Sequence, residues 1–452
     1  MSTAVPGAHA PHRRLGVWHA VAVCIGMVIG AGIFKSSPVA AANLPSADAL
    51  LAVWIFGGAM SLAGAMCFAE MAAAFPDQGG DYNFLRQAYG DGIGFLFAWS
   101  RFAVIHTGSM ALLAFSFGDY LATIVDLGVN GPVLLAGATI VLLAALNLAG
   151  IHFGIGTQLW LMLLVVAGLV GIIVAGALGT APGAQGPVAG PAAGPAGGHL
   201  GAALVFVFLA YGGWSDTATL SAEMRDGEHG IRRALIAGMT IVTTLYVLAN
   251  WAFERGLGHA ALAASDAPAA DLMRLVFGRP GQVIIVAVVA ITSITSMNAI
   301  LIAGARTTYA AARDTAVLGR LGRWHAARGT PTAAIVAIAA VSLALVAFGA
   351  YTRGGFSTMV DYLSPVYWLF LTLSGAALFV LRRKFPDAAR PFRVPWYPLV
   401  PLAFIGSSLY VLYSSLVYVR AGAVAGVGVL LIGAVLLLAL RAYAGVRDRA
   451  QP

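Results

Sequence analysis

Charged residues and cysteines are scarce in this 452-residue chain. Lys, Arg, Asp and Glu together make up 10% of it, and there are two Cys. Soluble domains typically carry about 25% charged residues, so the low charge excludes a soluble enzyme and a disordered chain. Two Cys inside apolar segments exclude a disulfide framework. The sequence also lacks metal-ligand spacings and phosphate-binding loops, so no metal, cofactor or nucleotide-driven activity is expected.

Apolar residues dominate what is present. They make up 60% of the chain, and 55 residues are Gly, which suits close packing of membrane helices. Segments of about 20 apolar residues are long enough to cross a bilayer as helices. The sequence therefore predicts an all-α integral membrane fold of twelve helices. The predicted spans are 15–42, 48–74, 92–122, 131–149, 154–178, 199–222, 232–255, 281–310, 331–350, 357–381, 396–418 and 422–443.

The basic residues predict the orientation of these spans. With a cytoplasmic N-terminus, nineteen of the 26 Lys and Arg lie on the cytoplasmic side, six lie outside, and Arg101 lies within the third span. This bias predicts a multi-pass protein of the cell (inner) membrane with both termini cytoplasmic. Because the basic residues form short scattered clusters and no single patch, the bilayer is the expected partner and nucleic acid is not.

A Gly/Pro/Ala-rich stretch divides the chain into two similar halves. Five spans precede it and five follow it, and an odd number per unit places the two units in opposite orientations. This pattern is typical of an inverted repeat. The predicted divisions are a tail at 1–14, a first repeat at 15–178, an extracellular linker at 179–198, an inverted repeat at 199–385, helices 11 and 12 at 386–443, and a tail at 444–452.

Each half begins with a span that glycines interrupt. The interruptions lie at 26–34 and at 210–216. A helix broken at mid-membrane leaves N–H and C=O groups that must face protein, water or a ligand. N–H groups at a helix start suit a carboxylate, and the carbonyls at a helix end suit an ammonium group. Two facing breaks therefore predict a site for a zwitterion such as an α-amino acid.

Six segments along the chain carry a resemblance to a known family. They are GAGIF (30–34), FAEMAAAFPDQGGDYNFLRQAYG (68–90), LAYGGWSDTATLSAEMRDGEHGIRRAL (209–235), TTLYVLANWAF (243–253), ARDTAVLGRLGRWHAARGTP (312–331) and RPFRVPWYPLVP (390–401). In this order they resemble the amino acid–polyamine–organocation superfamily, in particular bacterial members of its L-type amino acid transporter branch. The resemblance implies a LeuT-like 5+5 inverted repeat with broken helices 1 and 6. It also implies alternating access, with sodium-independent exchange or proton-coupled uptake.

The resemblance also implies which residues bind substrate. Leu209 stands where many relatives have an aromatic gate, and 158–167 contains no lysine where many relatives carry one. The implied substrate-binding residues are Ile29, Gly30, Ala31, Gly32, Ile33, Leu209, Ala210, Tyr211, Gly212, Gly213 and Ser215. The gate candidates are Phe208, Tyr211, Trp214, Glu70 and Glu223.

Several polar residues leave two interpretations open. Lys35 either attracts a carboxylate or reaches to the interface as a snorkelling side chain. His106 either contacts substrate or a proton, or bonds to a neighbouring helix. Ser293 and Ser296 either face the site or bond to the preceding turn. Asp216 either pairs with a substrate cation or caps the resuming helix.

A neutral amino acid is the expected substrate because no paired acidic residue is evident for a cationic one. Acidic or cationic amino acids and polyamines are the alternatives, and Lys35 keeps an acidic substrate open. A channel would need a continuous polar lining, and a membrane-embedded enzyme would need a nucleophile–base pair, so neither is favoured. The expected working unit is a monomer or homodimer.

Overall fold

The computed structural model describes residues 16–75, 80–150, 155–179, 198–217, 227–313, 331–417 and 421–449. Some predicted features lie outside these residues: residues 180–197 of the linker predicted at 179–198, residues 1–15 at the N-terminus, and Glu223. Over the described residues the fold is entirely helical. Its α-helices are α1 (Val17–Val28), α2 (Gly32–Ala42), α3 (Ala47–Ala74), α4 (Asp81–Tyr89), α5 (Asp91–Ser100), α6 (Thr107–Ala122), α7 (Gly131–Leu148), α8 (Ile155–Leu178), α9 (Gly198–Ala210), α10 (Gly227–Leu257), α11 (His259–Ala264), α12 (Pro268–Arg313), α13 (Thr332–Tyr351), α14 (Phe356–Lys384), α15 (Leu399–Val417) and α16 (Ala421–Arg449).

Ten helices within the described residues are long and apolar enough to cross a membrane, and a bent pair adds an eleventh span. Large apolar side chains point outward from them, including Leu134 (61% exposed) and Leu438 (64% exposed). An outward apolar surface of this extent is stable against lipid and unstable against water. The structure thus supports a multi-pass membrane protein.

The first span is broken at the position that the glycines predict. α1 ends at Val28 and α2 begins at Gly32, and their axes differ by 49°. Ile29 adopts a non-helical backbone (φ −77°, ψ 89°), and the Gly30 amide bonds to the Val28 carbonyl at 2.9 Å. Because the helical ladder stops there, the first amides of α2 have no intrahelical acceptor.

The second interruption ends α9 at Ala210. Residues 211–213 form a turn in which Gly213 has φ +101°, and a short 3₁₀ turn follows to Thr217. A positive φ strains any residue with a Cβ, which explains the glycine at this position. The chain therefore leaves the helix after Ala210.

Two further irregularities shape the bundle. Residues Arg101–His106 form a π-helical turn that joins α5 to α6 within one span, and such turns occur mostly at functional sites. α12 is kinked at Gly278, so its first ten residues lie apart from the long membrane segment. That long segment continues to Arg313, slightly beyond the predicted end.

Small residues set the closest helix contacts. A Cβ on Gly58 of α3 would overlap the Thr243 side chain of α10, and one on Gly57 would lie 2.9 Å from Val207 of α9. Close approach of this kind lets membrane helices associate by van der Waals packing, since lipid offers no hydrophobic driving force between them. α3, α9 and α10 are thereby held together beside the broken segments.

Candidate functional site

One cavity of about 700 Å³ occupies the centre of the described bundle. Both interruptions border it: Ile29, Gly30 and Gly32 from the first, and Ala210, Gly212 and Gly213 from the second. The opposite wall comes from the third span, α12 and α14. Side chains on that wall include Ile105, His106, Ser109, Leu112, Leu113, Thr292, Thr295, Ser296, Asn298, Phe356, Leu363 and Tyr367.

The two breaks lie in direct contact beside this cavity. A Cβ on Gly32 would lie 3.5 Å from the Ala210 Cα, so the start of α2 faces the end of α9. A Cβ on Gly213 would lie 2.5 Å from the carbonyl oxygen of Met27, which no real side chain tolerates. The helix start and helix end that suit a zwitterion are therefore adjacent.

Tyr246 of α10 connects the breaks from behind. Its hydroxyl lies 3.0 Å from the Val28 carbonyl oxygen and 3.2 Å from the Ala210 carbonyl oxygen, and it is fully buried. A hydroxyl has one proton, so these two carbonyls share a single donor. Tyr246 satisfies the carbonyl at the end of each helix and fixes the spacing between the two ends. Sequence reasoning missed this residue, which lies within the resembling segment 243–253.

Tyr367 of α14 supports the second break from the cavity side. The Tyr367 hydroxyl lies beside the backbone of Gly213. The same oxygen lies 3.1 Å from the position of a Cβ on Gly212. The ring therefore reaches the cavity with its polar end at the turn.

All three aromatic gate candidates pack away from the cavity. The Tyr211 hydroxyl donates to the Trp54 carbonyl at 2.9 Å, and its ring lies against Tyr246. Phe208 packs on Trp368, and Trp214 packs on Phe68. Leu209, between Phe208 and Ala210, lines the cavity.

Ala31, Ile33 and Ser215 are buried without lining the cavity. Ala31 and Ile33 lie at the start of α2, so only their backbone is near the break. Ser215 lies close enough to the Asp81 carboxylate at the start of α4 to act on its electrostatics. This part of the predicted set therefore surrounds the site and does not form its wall.

Lys35 is neither exposed to the interface nor open to the cavity. Its ammonium group lies 2.6 Å from the Asp119 carboxylate of α6 and donates to the Asp266 carbonyl at 2.9 Å. The residue is 7% exposed. The snorkelling interpretation does not describe this placement, because the ammonium group pairs within the protein.

His106 lines the cavity and is 6% exposed. Its Nδ1 has no hydrogen-bond partner among the described residues. Gly304 of α12 makes room for the ring, since a Cβ there would lie 3.1 Å from Nδ1. Ser296 also lines the cavity, whereas Ser293 is buried outside it.

An ion pair that the sequence did not predict lies at the cavity wall. Arg101 of the π-helical turn donates to the Asp216 carboxylate at 2.9 Å, and both residues border the cavity. This bond gives Asp216 a partner within the protein that the sequence did not predict. The available signal was Arg101 itself, because a charge within an apolar span is a functional candidate.

Glu70 forms a second ionic cluster at the far end of α3. Its carboxylate accepts two bonds from Arg382 of α14, at 2.8 and 2.6 Å, and one from the Val394 amide at 2.7 Å. Arg390 lies 3.8 Å away. Glu70 is 1% exposed, so this cluster ties α3, α14 and the following loop together.

A family model described as amino acid permease matches residues 15–440. The chain belongs to the amino acid permease family. The permease is 26% identical over 411 residues to the b(0,+)-type amino acid transporter 1 of Mus musculus, covering 90% of this chain and 83% of the relative. It is 28% identical over 413 residues to the large neutral amino acids transporter small subunit 2 of Homo sapiens, covering 88% and 75%.

The alignment with a bacterial relative covers a larger share of that relative's length. The permease is 25% identical over 412 residues to the serine/threonine exchanger SteT of Bacillus subtilis (strain 168), covering 90% of this chain and 91% of SteT. Matches of this extent confirm the resemblance that the ordered motifs predicted. The permease is a multi-pass membrane protein that transports amino acids.

Proposed function

We propose that the permease exchanges neutral amino acids with aliphatic side chains across the cell membrane by alternating access, without sodium. One observation carries the proposal: both chain breaks border one cavity whose remaining wall is largely apolar. Relatives named as an exchanger and as a transporter of large neutral amino acids support the mode of transport and the substrate class.

The breaks supply the groups that hold the substrate backbone. The amides of Gly32 and Ile33 begin α2 and suit the carboxylate, because the helix dipole is positive there. The Val28 carbonyl already accepts from Gly30 and Tyr246, whereas the Ala210 carbonyl accepts only from Tyr246 among the described residues. A carbonyl has two lone pairs, so Ala210 retains one for the ammonium group.

The side-chain end of the cavity favours a neutral aliphatic group. Ile105, Leu112 and Leu209 line it together with Leu363. Two of the nearby charged groups are held in ion pairs: Lys35 pairs with Asp119, and Asp216 pairs with Arg101. An acidic or cationic substrate would have to displace one of these pairs, which costs desolvation energy.

The same proposal includes the LeuT-like architecture of twelve spans. α8 occupies the position of the fifth span, and the remaining predicted spans each contain a described helix. With both termini cytoplasmic, the cavity wall at Arg306 and Pro331 faces the cytoplasm, while Lys35 and Phe356 lie toward the outside.

Counterflow in proteoliposomes tests the proposal. Vesicles loaded with unlabelled leucine, valine, alanine, serine, glutamate or lysine are placed in labelled leucine, with and without a sodium gradient. Aliphatic amino acids should drive uptake regardless of sodium, and glutamate and lysine should not. Uptake that requires sodium, or that only charged amino acids drive, would overturn the proposal.

Leu209 provides a matched test of the cavity assignment. Leu209→Phe reduces the space beside the break, so preference should move from leucine toward alanine by about tenfold, the effect of roughly 1.4 kcal/mol. Leu409→Phe is the control, because Leu409 of α15 is 48% exposed, and this change should leave the preference unchanged. An unchanged preference in both variants would remove Leu209 from the site.

A further inference from the structure

Asp81, the first residue of α4, carries a buried carboxylate that the transport site does not use. The residue is 7% exposed, and its Oδ1 has no hydrogen-bond partner among the described residues. Leaving a buried carboxylate oxygen unpaired is costly, and the cost falls when that oxygen binds a proton. The position is therefore suited to a group whose proton comes and goes.

The groups that face Asp81 come from each neighbouring element. Ser215 and the charged groups of Asp216 and Arg101 all lie close enough to act on the carboxylate. From α14, the Tyr367 ring lies close enough for its hydroxyl to respond to the Asp81 charge. At the other end of α4, Lys384 donates to the Ala88 carbonyl.

Two carboxylates therefore share the guanidinium of Arg101. Asp216 holds the direct bond at 2.9 Å, and Asp81 lies nearby without one. With Asp81 ionised the three groups carry one net negative charge, and with Asp81 protonated they carry none. A buried cluster without net charge is stable when dry, whereas a charged one requires water.

The electrostatics place this change near neutral pH. Burial, joined by the charge of Asp216, raises the pKa of Asp81 to about 7, even though Arg101 and Ser215 act in the opposite direction. α4 lies outside the membrane-length helices. An ordinary exposed aspartate would remain ionised throughout this range.

We propose that Asp81 is a proton-binding site whose occupancy controls the Arg101–Asp216 gate of the cavity. A proton bound to Asp81 stabilises the Arg101–Asp216 ion pair and keeps the gate closed. Loss of the proton admits water to the ion pair and opens the gate. The carboxylate oxygen takes its proton from water and returns it to water, so no other reactant is involved. The inference rests on the proposed function for its role in transport, although the site and gate can be measured without substrate.

Infrared difference spectroscopy tests the proton site on purified protein. Between pH about 8 and about 6, the carbonyl stretch of a newly protonated carboxylic acid should appear. Asp81→Asn should lose this band. Asp91→Asn is the matched control, because the Asp91 side chain is 82% exposed and forms an exposed ion pair with Arg86. A band of the same size in Asp81→Asn would overturn the assignment.

Thiol labelling tests the gate. Ser296→Cys places a probe in the cavity, since Cys24 and Cys67 are buried. The rate of maleimide labelling at each pH is divided by the rate in the same probe variant carrying Asp81→Asn, which cancels the ionisation of the thiol. The ratio should rise roughly three- to tenfold from pH about 6 to about 8. A constant ratio would overturn the proposed link.

Exchange measurements separate the two proposals. If the wild type exchanges no neutral amino acid at any pH, the proposed function fails, while the infrared band and the labelling ratio still decide the role of Asp81. If exchange occurs and Asp81→Asn retains the same pH profile as the wild type, the proton inference fails and the proposed function stands. Asp81→Asn with a flattened profile supports both.

Discussion

Gly213 approaches Met27 so closely that a Cβ on it would lie 2.5 Å from the Met27 carbonyl oxygen. The contact joins the turn after α9 to the end of α1, so the two breaks share one backbone interface. Together with the positive φ of Gly213, it limits this position to glycine. The first prediction tests this limit.

Gly213→Ala should abolish exchange. The added methyl group would separate the breaks, and the strained backbone adds about 1–3 kcal/mol. Counterflow of labelled leucine is the measurement. Gly428→Ala in α16 serves as the control, because a Cβ there meets nothing within 4 Å. Full exchange by Gly213→Ala would show that the contact does not matter for transport.

Tyr246→Phe should reduce exchange by about tenfold and lower the free energy of unfolding by about 1–2 kcal/mol. The ring remains, but the carbonyls of Val28 and Ala210 lose their common donor. Counterflow and thermal unfolding in detergent measure the two effects. Tyr413→Phe removes a hydroxyl from a 58% exposed residue and should change neither quantity. Equal behaviour of both variants would contradict the bridging role.

Glu70→Ala should lower the free energy of unfolding by about 3–5 kcal/mol. Removal of this buried carboxylate leaves Arg382 and the Val394 amide without their acceptor. Thermal unfolding of the purified protein measures the loss. Asp91→Ala breaks an exposed pair with Arg86 and should cost about 0–1 kcal/mol. A similar small loss for Glu70→Ala would show that the cluster is not structural.

His259 should make stability depend on pH. Burial lowers the pKa of His259, but hydrogen bonds to the Glu254 carboxylate and the Leu44 carbonyl raise it by more, so the net shift is upward. The protonated form therefore stabilises the fold below the ordinary value of about 6.5. The contribution disappears as pH rises through the raised value.

The change His259→Gln tests this dependence. Its loss of melting temperature relative to the wild type should be larger at pH about 6 than at pH about 9. His19→Gln near the N-terminal end of α1 is a comparison variant outside this hydrogen-bonded group. A loss for His259→Gln that stays constant with pH would show that its charge does not contribute.

The parts of the fold that depend on local sequence were predictable. The break between α1 and α2 lies within 26–34, where Gly30 and Gly32 have low helix propensity. The helices occupy the predicted apolar segments because each must satisfy its own backbone in the membrane. The family was recognisable from the order of the motifs, and residues 15–440 match its model.

The parts that depend on long-range contacts were not predictable. Asp216 lies 115 residues from Arg101, and Tyr246 lies 218 residues from Val28. Neither distance leaves a pattern in one sequence. The π-helical turn at Arg101–His106 is similar, because its extra residue has no compositional sign. Lys35 was expected at an interface or at a ligand, but the bundle provides Asp119 instead.

The size of the cavity has a pharmacological consequence. About 700 Å³ falls within the range that holds drug-sized molecules, and a single aliphatic amino acid fills only part of it. An amino acid with a bulky aromatic extension should therefore enter, engage both breaks and prevent the bundle from closing. Such a compound would inhibit leucine counterflow competitively without being carried itself, and its own uptake would contradict this expectation. A blocker of this kind would hold the molecule in one state long enough for its mechanism to be trapped and examined.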